Sequence, residues 1–206
     1  MTLQIYPRVK SLVDVFGATL LLVACSPILL VLVFLLFLSD PSNPFFVQER
    51  IGHDERVFRV IKLRTMTAHT GTDGALASDA ERLTALGRIV RRTSLDEIPQ
   101  LINIVRGEMS FIGPRPLLVR YLPYYRDEER VRHTVLPGIT GLAQINGRND
   151  LGWDDRLAHD ISYVRNMSAR QDFKILLGTV KSVVTASGVK VDVLSGHMRD
   201  LDVERA

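Results

Sequence analysis

The chain has one cysteine, Cys25, and it lies inside an apolar run, so there is no disulfide framework and nothing points to an oxidising compartment; cytoplasmic exposure is expected. No zinc-ligand spacing, no P-loop and no G-x-G-x-x-G fingerprint occurs, so the familiar nucleotide and structural-metal signatures are absent. Neither sign of charge dominates: 26 Lys and Arg stand against 23 Asp and Glu, a net charge of +3. The basic residues are scattered among acids and form no recognised nucleic-acid module, which argues against a nucleic-acid partner. A sequence pI of about 9.2 suits contact with anionic lipid head groups or phosphorylated substrates.

What the chain does have is one concentrated apolar block. Over 206 residues the apolar share is 46% and the charged share 24%, a balance of neither a polytopic membrane protein nor an ordinary soluble one. The excess sits in LVDVFGATLLLVACSPILLVLVFLLFL, residues 12 to 38. From Val15 to Leu38 about 24 residues carry no charge, and as one helix they would reach about 36 Å, enough for a hydrocarbon core of about 30 Å. A cleavable signal peptide is disfavoured by the length of the run and the lack of a small-residue cleavage site before the charged region. Ser26-Pro27 stands near the midpoint, where proline removes a backbone bond and serine can bond an upstream carbonyl. Basic residues flank both ends, Arg8 and Lys10 before and Arg50, Arg56, Arg59, Lys62 and Arg64 after. Both a straight anchor and a re-entrant hairpin stay open on physical grounds, the hairpin alone keeping both flanks in the cytoplasm.

Beyond Ser39 the pattern is that of a charged globular domain. FFVQER and RVFRVIKLR, joined through IGHDE, predict a short β-hairpin. HTGTDGALAS reads as a mobile loop. DAERLTALGRIVRR predicts a helix with Leu83, Leu86, Ile89 and Val90 on one face. MSARQDFKILLGTVKSVVTASG predicts another, opened by a Ser168-x-x-Gln171 capping box, with Phe173, Leu176, Leu177, Val180, Val183 and Val184 on one apolar stripe that faces either the core or the membrane, the core being preferred. VDVLSGHMRDLDVERA shows no clear pattern.

Three stretches draw chemical attention. RRTSLDEIPQL, residues 91 to 101, sets Arg91 and Arg92 before an adjacent Asp96-Glu97 pair. Its plain reading is helix punctuation, with Ser94-x-x-Glu97 as a capping box that leaves Asp96 free and Pro99 bending the helix start. FIGPRPLL, residues 111 to 118, fixes Arg115 in a proline-rich turn, and a rigid guanidinium matches phosphate well. LPGITGLAQINGRN, residues 136 to 149, is a glycine-rich loop with Arg148 beside an Asn-Gly turn. Singly, each is an ordinary surface turn; together, such loops with open backbone N–H groups and arginines suit phosphates and a nucleotide.

In combination the sequence resembles the small monotopic bacterial phosphoglycosyl transferases, the polyprenol-phosphate sugar-1-phosphate transferases, and most of all their short N-glycan-initiating members. The resemblance runs from about Lys10 to about Val189, through Lys10 to Pro27, KLRTM at 62 to 66, SLDEIPQL at 94 to 101, GEMSFIGPRPLL at 107 to 118 and PGITGLAQINGRN at 137 to 149. It implies transfer of a sugar 1-phosphate from a UDP-sugar, expected to be an N-acetylated amino sugar, to undecaprenyl phosphate with release of UMP. It further implies dependence on Mg²⁺, a re-entrant membrane helix broken at Ser26 and Pro27, and a place on the cytoplasmic face of the bacterial inner membrane. By motif, Asp96 corresponds to the nucleophile and Glu97 to its partner, both toward the metal. Arg91, Arg115, Arg148, Lys62 and Arg64 correspond to phosphate or nucleotide contacts.

The expected fold class is α+β and mostly helical. A membrane-inserted re-entrant helix over residues 1–39 precedes a compact cytoplasmic catalytic domain with a small β-hairpin over 40–189, and a tail over 190–206. Expected partners are the UDP-sugar, undecaprenyl phosphate, membrane lipids and downstream glycosyltransferases. The competing classes are a membrane-anchored scaffold of glycan assembly, and a magnesium-dependent phosphatase or nucleotidyltransferase on an anchor. UMP release from a UDP-sugar separates the first from an enzyme, and formation of a sugar-linked lipid separates the second.

Overall fold

A single helix of 35 residues, α1 (Ile5–Ser39), opens the structure and carries the whole apolar block. The computed structural model describes residues 5–41, 43–67, 78–147, 151–184 and 200–206. Over its most apolar window α1 has a mean hydropathy of 3.1, so by length and composition it could cross a membrane. It stays helical through Pro27. A proline there has no N–H for the carbonyl four residues back, Val23, and the Ser26 hydroxyl donates to that same oxygen at 2.8 Å. The serine thus satisfies the acceptor that the proline leaves, in a segment where lipid could not.

One stripe of α1 packs on the rest of the chain, before and after Pro27. Ahead of it, Ala18 is fully buried against Val60, Leu101, Ile104 and Met109, with Leu22 beside them. Gly17 lets Phe111 approach: a Cβ there would lie 3.3 Å from the ring. After it, Leu29, Leu32, Val33 and Leu36 pack with Phe45, Leu63, Leu86, Val90 and Leu95. Leu12, Phe16, Leu30 and Phe34 on the other side are exposed. The N-terminal end is held by polar contacts. Lys10 pairs with Asp14 at 3.0 Å and Asp172 at 3.2 Å, Ser110 donates to Asp14 at 2.6 Å, and Tyr6 donates to Asp172 at 2.7 Å.

The predicted hairpin is present. β1 (Phe45–Ile51) and β2 (Val57–Leu63) are antiparallel, from Phe45 opposite Leu63 to Ile51 opposite Val57. The helix expected over DAERLTALGRIVRR is divided: α2 (Asp79–Arg82) ends before Leu83, which bridges to Met66, and α3 (Ala85–Arg92) starts afresh from Thr84. Thr84 Oγ1 accepts from the Gly87 N–H at 2.8 Å, and that cap explains the restart. Of the predicted face, Leu83 and Val90 are buried while Ile89 is exposed. α4 (Gln100–Val105) follows, with Pro99 at its N-cap, where a missing N–H costs nothing. The mobile loop expected at HTGTDGALAS falls almost wholly outside the described residues.

A second, unanticipated sheet joins β3 (Ser110–Ile112) in parallel to β4 (Gly138–Thr140). α5 (Leu142–Ile145), α6 (Trp153–Arg165) and α7 (Ala169–Val184) complete the domain. α7 begins with half of its predicted capping box: the Gln171 N–H donates to Ser168 Oγ at 3.4 Å, while Gln171 Oε1 is buried with no partner among the described residues. It buries the face opposite to the preferred one. Phe173, Leu176, Leu177 and Val180 are exposed, and Asp172 and Ile175 face inward. The inward face mixes Ile175 with bonded polar groups: Tyr163 donates to Asp172 at 2.8 Å, and the hydroxyls of Thr140 and Thr179 meet at 2.7 Å. The apolar stripe thus faces outward, the second of the two orientations open to it, and not the preferred core. The patternless tail also docks, as α8 (Leu201–Glu204), with Leu201 fully buried among Leu117, Tyr121, Tyr125, Trp153 and Leu157.

Candidate active site

The Asp96-Glu97 pair lies in a single 3-10 turn, Leu95–Glu97, between α3 and α4. The capping box expected from Ser94 is not there. Ser94 takes a left-handed conformation (φ 57°) with no side-chain cap bond, and it turns the chain sharply from one helix toward the next. A serine held in that region stores strain of the kind found at functional sites. Glu97 is drawn elsewhere: Lys62 Nζ and Arg115 Nη2 each donate to its Oε1 at 2.8 Å.

Asn103, which sequence reasoning passed over, fixes the geometry of this contact. It is fully buried on α4; its Oδ1 accepts from the Ile61 N–H at 3.2 Å, and its Nδ2 donates to Arg59 O and Glu108 Oε2, both at 2.7 Å. These bonds lock α4 to β2 and set the level at which Lys62 meets Glu97. The one signal was a lone asparagine within the apolar run QLINIV.

Arg115 reaches Glu97 from the turn after β3. Its Nη1 also donates to Ile139 O at 3.3 Å, and its own carbonyl accepts from Arg132 Nη2 at 2.7 Å. Gly113-Pro114 of the proline-rich turn and Gly138–Thr140 of the glycine-rich stretch are packed on each other rather than open to a ligand. Gly113 N–H donates to Thr140 O at 2.9 Å and Gly138 N–H to Pro114 O at 3.0 Å. A Cβ on Gly138 would stand 2.1 Å from the nitrogen of Gly113, so glycine is required for the crossing. The backbone N–H groups expected to hold phosphate are, at these two positions, already used; the side chain of Arg115 is what the turn presents.

The electrostatics separate the two carboxyls. Burial pushes Asp96 up to about 6 and the neighbouring Glu97 charge adds to the effect, against the pull of Lys62, Arg91 and Arg115. Burial would raise Glu97 also, but Arg115 and Lys62 overcome it and hold its carboxyl down at about 2. Burial lowers Lys62 despite the nearby carboxylates. Asp96 accepts no hydrogen bond among the described residues. Arg91 is exposed on the last turn of α3, close enough to lower Asp96 and bonded to no side chain among the described residues. Arg64 lines a small cavity with Leu36, Ser39, Pro44 and Thr84 at the C-terminal end of α1, and Lys62, Glu97 and Arg115 are not part of that lining. Arg148 falls outside the described residues.

Two carboxylates with unbonded oxygens suit a divalent cation of the magnesium type. Among the described residues no group of three or more His, Cys, Asp or Glu could hold a metal. Mg²⁺ needs none, since it keeps several waters and uses one or two carboxylates together with substrate phosphates. Asp96 and the free Oε2 of Glu97 fit that role.

Comparison with known proteins gives this cluster a family. The model of the family described as bacterial sugar transferase matches residues 5–186. The chain is 44% identical over 181 residues to the uncharacterized sugar transferase EpsL of Bacillus subtilis, covering 88% of this chain and 90% of that one. It is 39% identical over 189 residues to UDP-glucose:undecaprenyl-phosphate glucose-1-phosphate transferase of Caulobacter vibrioides, 85% of this chain and 70% of the relative. With UDP-N-acetylgalactosamine-undecaprenyl-phosphate N-acetylgalactosaminephosphotransferase of Aeromonas hydrophila the identity is 33% over 198 residues, 90% of this chain and 46% of that longer protein. A family model that matches residues 5–186, with a relative 44% identical over 90% of its own length, settles the assignment: the chain belongs to the bacterial sugar transferase family.

Proposed function

We propose that this sugar transferase moves a sugar 1-phosphate from a UDP-sugar to undecaprenyl phosphate through a covalent intermediate on Asp96, releasing UMP. One observation carries the reading: Glu97 is bound by two cations while Asp96, its neighbour, is left without a hydrogen bond beside the same positive charges. A carboxylate oxygen of Asp96 attacks the β-phosphorus, the bond from that phosphorus to the bridging oxygen breaks, and UMP leaves with the electron pair. An oxygen of undecaprenyl phosphate then attacks the same phosphorus, displaces the Asp96 carboxylate and gives undecaprenyl-diphosphate-sugar. Glu97 orients Lys62 and Arg115. Arg115, with two of its five N–H groups engaged, has donors left for a phosphate. Mg²⁺ held by Asp96, Glu97 and the substrate would neutralise diphosphate charge.

The membrane geometry supports a lipid acceptor. Residues 14 to 36 of α1, about 33 Å of helix, lie along the polar domain, so a straight crossing would draw that domain into the hydrocarbon. The exposed face of α1 and the outward stripe of α7 instead favour a monotopic, re-entrant insertion from the cytoplasmic side of the inner membrane, up to residue 39, with the catalytic domain from residue 40 resting on the surface. The donor sugar is proposed to be N-acetylated; the relatives' names carry glucose in one case and N-acetylgalactosamine in another. The test is an assay of the purified protein with undecaprenyl phosphate, Mg²⁺ and a panel of UDP-sugars. UMP and a sugar-linked lipid are expected, the N-acetylated donors being fastest. A scaffold gives no UMP, and a phosphatase or nucleotidyltransferase gives no sugar-linked lipid.

A further inference from the structure

We propose that the buried Arg132–Asp160 ion pair is a positioning device for Arg115, an inference that rests on the function proposed above. Arg132 lies in the 3-10 segment Asp127–Thr134 and Asp160 on α6, far apart in sequence from the SLDEIPQL motif. Arg132 Nε and Nη2 donate to Asp160 Oδ2 at 3.1 and 2.9 Å, and both side chains are only 2% exposed. The same Nη2 donates to the carbonyl oxygen of Arg115 at 2.7 Å. Nη1 points at Tyr125 Oη, 3.4 Å, and His133 Nε2, 3.2 Å.

Stability is a poor reason for such a pair. Two charges taken out of water are commonly replaced by well-packed apolar side chains at no loss, and here Asp160 Oδ1 is buried with no hydrogen-bond partner, an added cost. What apolar side chains cannot supply is the bond to Arg115 O. Arg115 is held at its tip by Glu97 and Ile139 O and at its root by Arg132. Without the root contact, the turn that carries the guanidinium loses its only side-chain bond to the Arg115 carbonyl among the described residues. Arginine is required over lysine because one planar fork must reach Asp160 and the Arg115 carbonyl together. Arg132 touches no substrate in this scheme; it acts through Arg115.

The test compares single-turnover UMP release and thermal unfolding for wild type, Arg132→Met/Asp160→Leu, Arg115→Ala and all three changes combined. The apolar replacement is expected to unfold near the wild-type temperature and to lose about tenfold or more in rate, because loss of a well-placed electrostatic contact has that scale. Added to Arg115→Ala, it is expected to change the rate less than about twofold, since residues that act through one another are not additive. Arg132→Lys serves as a second variant should the apolar pair not fold. It keeps the charge, loses the fork, and is expected to be slow in wild type and silent in Arg115→Ala. A full further loss in the Arg115→Ala background, or a wild-type rate in a folded variant, overturns the positioning role. Absence of UMP release by the wild type overturns the proposed function instead.

Discussion

Arg115 Nη2 and Glu97 Oε1 meet at 2.8 Å, joining a turn after β3 to a turn before α4, and Lys62 completes the contact from β2 on the same oxygen. Three separate stretches of chain therefore converge on one carboxylate, and the aspartate beside it is the group left over. The division of labour follows from charge: one acid is committed to holding two cations, the other stays available.

Glu97→Gln tests that division. The change keeps the shape and removes the charge, leaving Lys62 and Arg115 without their counter-ion. With no capping role at Ser94 to preserve, turnover should fall by about a hundredfold or more, on the scale of losing preorganised electrostatics. A steady-state assay of UMP release alongside thermal unfolding checks it; near-normal turnover would remove Glu97 from the mechanism.

Asn103→Ala should act on stability first. It strands the Ile61 N–H and Arg59 carbonyl between α4 and β2, and unmade buried bonds of this kind cost about 1–3 kcal/mol. Denaturant unfolding should show that loss, with a fall in turnover as Lys62 shifts against Glu97. An unchanged midpoint would show the two elements are held by apolar packing alone.

How much of this was legible in the sequence depended on what each residue was competing for. The β1–β2 hairpin, the Asp96-Glu97 pair and Arg115 were readable because β-branched alternation, clustered charge and a proline-fixed turn are local signals; Lys62 of KLRTM entered only through the family resemblance. The cap at Ser94 was misread because a local rule competes with two cations from distant parts of the chain, Lys62 on β2 and Arg115 in the turn after β3, and the cations win. The proline-rich turn at Gly113 and the glycine-rich stretch at Gly138 looked like ligand loops because they partner each other there, through a parallel pairing that no local pattern announces. The preferred orientation of α7 failed for a related reason: its inward face carries Asp172 and Thr179 beside Ile175, and these polar groups are bonded by Tyr163 and Thr140. Leu201 could not be placed from a tail with no periodicity.

Stability should decline on mild acidification through His133. Burial holds its folded-state value down at about 3, with Arg132 and Arg130 adding to the effect; Glu55 lies 3.7 Å away and Tyr125 stacks edge-on. An unfolded histidine takes its proton near pH 6.5, so the unfolded state binds the proton first. The contribution is complete above about pH 6.5 and is lost as pH falls toward 3. Thermal midpoints of wild type between pH 8 and 4 should drop more steeply below pH 6.5 than those of His133→Gln; parallel curves would assign the acid sensitivity to other groups.

Topology can be read with one thiol. In a Cys25→Ser background, Ser39→Cys places a cysteine at the exposed C-terminal end of α1. Re-entrant insertion predicts no reaction with a membrane-impermeant maleimide outside intact cells, and labelling after permeabilisation. Labelling in intact cells would establish a straight crossing.

The most direct measurement concerns Asp96 itself. Enzyme incubated with UDP-sugar and Mg²⁺ but no lipid, then digested and weighed, should show the mass of one phosphosugar on the peptide carrying SLDEIPQL, with UMP released in equal amount. Asp96→Asn should lose both the adduct and turnover. An active Asp96→Asn enzyme, or UMP that appears only when donor and lipid are present together and with no adduct on that peptide, would contradict the covalent route and leave direct transfer to the lipid in its place.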